Sequence, residues 1–177
     1  MKNVFSTKRL CRSGVIAALY VALTYVFGSL AFGPFQIRPS EALCILPLFF
    51  PEAVPALFVG CTLSNLLSQY SVWDILFGSL ATLIAALLTY MVGRLCKKDG
   101  IKILLGGLPP VLVNALVIPA VIVFIAAEQG ASVSIIAAYF VNVGAFLLTQ
   151  SVWVYGLGTP LYFTVKRLIQ YNPKFFA

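Results

Sequence analysis

The sequence predicts an all-α integral membrane bundle of six transmembrane helices, with both termini cytoplasmic and a short second helix. Three observations predict it. Hydrophobic residues make up 61% of the 177 and charged residues 10%, whereas soluble domains carry about 25% charged residues. Stretches free of Asp, Glu, Lys and Arg run 13–37, 42–51, 53–73, 75–93, 103–127 and 129–165. Finally, if the short stretch also crosses, eleven of the twelve basic residues share one face, and Arg38 stands alone opposite. Cytoplasmic loops are enriched in Lys and Arg, so the basic face is the inner one. The spans use nearly all the length, leaving a single domain, 1–177.

A helix rises about 1.5 Å per residue and the hydrocarbon is about 30 Å thick, so about 20 residues cross it. The first stretch follows a basic N-terminus, Met1 to Arg12, with no small-residue cleavage site after it, and is expected to be a retained helix. The stretch 42–51 covers about half the bilayer. Pro39 and Ser40 precede it, Glu41 sits in its first turn where the helix dipole favours an anion, and Pro47 and Pro51 limit it. Pro51-Glu52 turns the chain into the third helix, and Ser71-Val72-Trp73-Asp74 reads as a capping box opening the fourth. Bends are expected near Pro109-Pro110 in the fifth and near Gly156, Gly158 and Pro160 in the sixth. The last stretch exceeds one crossing, so 129–137 is expected to form an external loop.

Several chemistries lack their parts. There is no histidine, and Cys11, Cys44, Cys61 and Cys96 are far apart, so no metal or haem site is expected and the cysteines read as packing residues. No phosphate-binding loop, nucleophile elbow or zinc-protease motif is present, and no cofactor is expected. Glu41, Glu52, Asp74 and Glu128 are all expected at span ends, which leaves a proton-coupled pump without ionisable groups at depth. The net charge of +7 follows from the inner-face residues, so no nucleic-acid partner is implied.

The polar residues that remain inside spans need a reason, because burying an unpartnered amide costs roughly 2–7 kcal/mol. Asn65 and Gln69 fall near the outer end of the third helix, Asn114 in the fifth, and Asn142 and Gln150 in the sixth. Counted from the outer ends, Asn114 and Gln150 lie at about 21 and 18 Å depth, a shared level. Helix-to-helix hydrogen bonds would explain any one of them; several at compatible depth, opening toward Arg38 and Glu41, favour a polar pocket. Arg38 and Glu41 fit an interfacial ion pair or a gate. Phe32, Phe35, Tyr70, Trp73, Tyr139 and Phe140 gather at the same end, as an aromatic belt or as stacking surfaces for a flat heterocycle. Gly14, Ala18 and Ala22 form a small-residue stripe on the first helix, for packing within the bundle or for docking a partner.

Five ordered motifs then carry a resemblance. They are Gln36-Ile-Arg-Pro-Ser-Glu-Ala-Leu43 with Pro47, Gly60-Cys-Thr-Leu-Ser-Asn65, Asp74-Ile-Leu-Phe-Gly-Ser-Leu-Ala-Thr-Leu83, Leu108-Pro-Pro-Val-Leu-Val-Asn-Ala115 and Tyr155-Gly-Leu-Gly-Thr-Pro-Leu161. From about residue 8 to 165 the chain resembles the QueT family, substrate-binding S components of energy-coupling factor (ECF) transporters. The resemblance implies uptake of a queuosine precursor, a 7-deazaguanine. It also implies a complex with a membrane coupling protein (EcfT type) and two cytoplasmic ATPases, the chain itself being no enzyme. By the same resemblance Arg38, Glu41, Asn65, Asn114 and Gln150 would line the pocket, and Ala18 and Ala22 match the docking stripe; Asn142, Trp73 and Asp74 stand beside them as further substrate-binding candidates. One departure is Gln150, where the family pattern often has Glu; queuine and queuosine therefore stand beside the smaller bases as ligands. The alternatives are an S component for thiamine, riboflavin or folate, or a small stand-alone channel or membrane enzyme.

Overall fold

The computed structural model describes residues 7–32, 37–66, 68, 71–128 and 134–173. Among them there is no strand. Four helices are long and apolar enough to cross a membrane: α1 (Thr7–Val26), α3 (Asp74–Leu95), α4 (Asp99–Glu128, apolar through Ile125) and α5 (Ile135–Tyr171). Two shorter elements complete the bundle, a 3-10 helix (Pro39–Leu48) and α2 (Ala53–Asn65).

The 3-10 helix organises the rest. All ten of its residues are buried, and it packs against α1, α2, α3, α4 and the C-terminal part of α5, from Val152 onward. The expected short second helix is therefore present, but its winding differs from the expectation. At about 2.0 Å rise per residue its ten residues extend about 20 Å, still short of a crossing. Pro39 is its first residue and Pro47 lies inside it rather than ending it. Prolines lack the N–H that an α-helical ladder needs, which accounts for the tighter, irregular winding. Such backbone is tolerated at membrane depth only when protein surrounds it, and here helices do so on every side.

Gly93 on α3 lets that enclosure close. A Cβ there would stand 2.8 Å from both Cα and O of Leu48, so only a bare glycine admits the 3-10 helix.

α1 is peripheral. Ile16, Tyr20 and Thr24 are buried, whereas Gly14, Ala18 and Ala22 are exposed. The two sets are offset by two residues, about 200° around a helix, so the small-residue stripe faces away from the bundle.

Other expectations met mixed outcomes. α4 continues as helix through Pro109, Pro110 and Pro119. In α5 the irregularity falls on Val152–Leu157, a π-helical segment that contains Gly156 and is followed by Gly158. Helix begins at Ile135, so 135–137 are not loop. The proposed capping box rests on the Ser71 side chain, and that side chain, like the residues 129–133, 69–70 and 35, lies outside what is described. The Asp74 carboxylate instead accepts from the Ser68 hydroxyl.

A candidate ligand pocket around Glu41

Glu41 stands in the first turn of the 3-10 helix and is 2% exposed. Three donors from three directions reach its carboxylate. The Tyr20 hydroxyl donates to Oε1 at 2.6 Å, and the Asn114 amide and the Cys44 thiol donate to Oε2 at 3.2 and 3.3 Å. Asn114 stands midway along α4, fifteen residues after Asp99 and fourteen before Glu128. Glu41 is thus carried to the middle of the bundle, not left at a span end. The expectation that every carboxylate lies at an end is corrected for this residue, and with it the argument against proton coupling drawn from bare spans. The cause is the buried 3-10 helix, which brings its own first turn inward.

Arg38 does not pair with Glu41. It is 5% exposed, and its Nε donates to the Ala31 carbonyl at 3.0 Å, its Nη1 to Asn65 Oδ1 at 3.2 Å, while the guanidinium lies 5.0 Å from the Phe32 ring centroid. The interfacial ion pair is replaced by a guanidinium held in the protein by a carbonyl, an amide and an aromatic face, each a suitable partner. Asn65 in turn donates to the Asp74 carbonyl at 2.8 Å, and Ser68 donates to the Asp74 side chain. Beside this chain of contacts, Thr24 donates to Ser40 at 2.8 Å.

The structure therefore gathers Arg38, Asn65 and Asp74 into one buried hydrogen-bonded network, and Glu41 with Asn114 into another. Gln150 is buried at 3% exposure, and its Oε1 accepts no hydrogen bond. It lies one helical turn from Phe146, which packs with Ala115 and Ile118 of α4. The remaining candidates are placed elsewhere. Asn142 is half-buried and donates to the Ala138 carbonyl of its own helix at 2.8 Å. Trp73 is 39% exposed and stacks on Phe77 and against Phe124. Gln69, Phe35 and Tyr70 lie outside the described residues.

Sequence reasoning missed Tyr20, Cys44 and Ser79. Tyr20 carried a signal, being offset by two residues from the small stripe on the side that packs inward. Ser79 is 2% exposed, and its hydroxyl has no partner. No group of three metal-ligating side chains occurs among the described residues; Cys44 and Cys61 are free and buried.

What the arrangement can do is recognise a polar molecule by edge. It offers an acceptor carboxylate, amides able to donate and accept, and an unused carbonyl oxygen, all walled by apolar helices. Comparison with known proteins agrees with a carrier. A Queuosine precursor transporter QueT from Lactococcus lactis subsp. cremoris (strain MG1363) is 36% identical over 87 residues, which is 48% of this chain and 51% of the relative. The match thus spans about half the length of that relative. No solved structure matches the chain. The model of the QueT transporter family matches residues 10–167. With that match across nearly all its length, the chain belongs to the QueT transporter family, as a multi-pass membrane transport protein rather than an enzyme.

Proposed function

We propose that this protein is the substrate-specificity (S) component of an ECF-type transporter that imports a queuosine precursor or related 7-deazaguanine across the cell membrane. The observation that carries the reading is Glu41, a buried carboxylate at the centre of the bundle with Asn114 donating to it, and α5 adds the buried, orphaned Gln150 oxygen. A guanine-like edge presents adjacent N–H donors to a carboxylate, while amides answer its carbonyl and ring amide. The family match and the relative's name support the queuosine-precursor class.

The same reading includes six crossings with both termini inside, the 3-10 helix and α2 acting as the two short ones; the charge distribution supports it. It includes an external energy source, supplied by two cytoplasmic ATPases through a membrane coupling protein of the EcfT type. The outward-facing Gly14, Ala18 and Ala22 support such docking, and Gly14 borders an apolar groove of about 670 Å³ between α1 and α2, lined also by Leu10, Ala17, Pro55 and Val59.

The test is direct. Purified protein is analysed by mass spectrometry for co-purifying small molecules and titrated with 7-aminomethyl-7-deazaguanine, queuine and queuosine. Tight, saturable binding of one of them is expected. A co-purifying thiamine, riboflavin or folate, with no deazaguanine binding, replaces the substrate. Uptake by vesicles lacking every ATPase removes the S-component role.

A further inference from the structure

Hydroxyls inside helices of a membrane protein usually satisfy themselves by donating to the carbonyl four residues back. This chain follows that habit closely: Thr24, Thr62, Ser64, Thr82, Thr149 and Thr164 each bond the carbonyl at that offset, at 2.8 to 3.1 Å. Ser79 breaks it. Its local acceptor would be the Ile75 carbonyl, and Ile75 lies inside Asp74–Gly78, a π-helical turn. A π turn directs its backbone bonds to the fifth residue rather than the fourth, so the backbone that Ser79 follows departs from the regular α-helical ladder. The hydroxyl stays buried, at 2% exposure, and bonds nothing.

An unpaired buried polar group costs about 1–3 kcal/mol, and π turns recur at functional sites. Ser79 is also well placed. The neighbouring Gly78 is so close to Asn65 that an added Cβ would stand 2.9 Å from Asn65 Nδ2 and 3.7 Å from Ile118 Cδ1. Ile118 is one turn from Asn114 on α4 and packs with Phe146, one turn from Gln150. Three residues beyond Ser79, on the same face of α3, Thr82 donates to Cys61 in the core. The two buried side-chain atoms that the described residues leave unpartnered, Ser79 Oγ and Gln150 Oε1, are thus a donor and an acceptor, on α3 beside the Asn65 network and on α5 beside the helix that carries Asn114.

We propose that Ser79 is a specificity-determining substrate contact, its hydroxyl donating to a ring carbonyl oxygen of a heterocycle whose N–H is accepted by Gln150. The assignment rests on the pocket reading above, and it names the acceptor that the ligand must present.

The experiment compares wild type with Ser79→Ala and Ser79→Cys. Thermal stability is measured without ligand, and affinity is measured for 7-aminomethyl-7-deazaguanine and for its analogue lacking the 6-oxo group. Ser79→Ala is expected to leave the ligand-free Tm unchanged or raised, because an unsatisfied hydroxyl is removed, yet to weaken the 6-oxo ligand about tenfold. It should not change affinity for the analogue, and Ser79→Cys, a weaker donor of similar bulk, should fall between. A lower ligand-free Tm with unchanged affinity makes the hydroxyl structural and overturns the assignment. Equal affinity of wild type and both variants for the 6-oxo ligand overturns it while leaving the pocket reading standing. Failure of wild type to bind any deazaguanine removes the pocket reading and Ser79 with it.

Discussion

The Asn114 amide donates to Oε2 of Glu41 at 3.2 Å across 73 residues of sequence, joining the middle of α4 to the first turn of the buried 3-10 helix. Tyr20 holds the other carboxylate oxygen. The carboxylate is therefore fixed in place before any ligand arrives, and a preformed acceptor loses little orientational freedom on binding.

Removing either end of that link is expected to weaken ligand binding. Glu41→Gln removes an acceptor oxygen, and Asn114→Leu removes a donor and an acceptor; each is expected to reduce affinity about tenfold or more. Both variants should still insert and purify. Isothermal titration with the identified ligand checks this, and undiminished affinity in both would remove Glu41 from the site.

Tyr20→Phe separates positioning from contact. The ring stays in the core while the hydroxyl that donates to Glu41 at 2.6 Å is lost. A buried acceptor deprived of its donor costs about 1–3 kcal/mol, so a lower melting temperature is expected in the ligand-free protein. A melting curve in detergent reads it.

Gly93→Ala is expected to destabilise, against the usual direction. In a helix interior alanine gains about 1 kcal/mol over glycine, yet here the new Cβ would meet the Leu48 backbone at 2.8 Å. Backbone cannot swing aside as a side chain can, so the 3-10 helix must shift. A raised melting temperature for this variant would contradict the close approach.

Ala18→Trp tests the outer face of α1. Ala18 is exposed and opposite the buried Tyr20 row, so the bundle and its ligand affinity should be unaffected. Uptake in cells carrying the full transporter should be abolished if this face docks a partner. Unchanged uptake returns the stripe to a lipid-facing role.

Much of the fold was legible because a bilayer imposes its thickness on the chain. The charge-free stretches marked every helix, and the isolated basic residue Arg38 marked the short element. Its winding was not legible: nothing in Pro39 to Leu48 distinguishes a 3-10 helix from a short α-helix until the surrounding helices are known. The network was half legible. Glu41, Asn65 and Asn114 announced themselves as polar residues amid apolar ones, but Tyr20 looked like one more aromatic and Ser79 like one more small helical residue. What set Ser79 apart was a π turn, a feature of backbone registry that a list of residue types does not display. Trp73 was singled out by composition alone, and the structure gives it partners among exposed rings.

The buried 3-10 helix also bears on how the protein is made. Ten residues flanked by Arg38 and containing Glu41 offer the insertion machinery no segment long enough to be recognised as a span, and a charge at a helix centre costs about 2.5–3.5 kcal/mol to insert. It has no independent route into the lipid. Its burial depends on contacts from α1 on one side and α2 to α5 on the other, so its place is set only by the closing of the bundle over its own most polar piece.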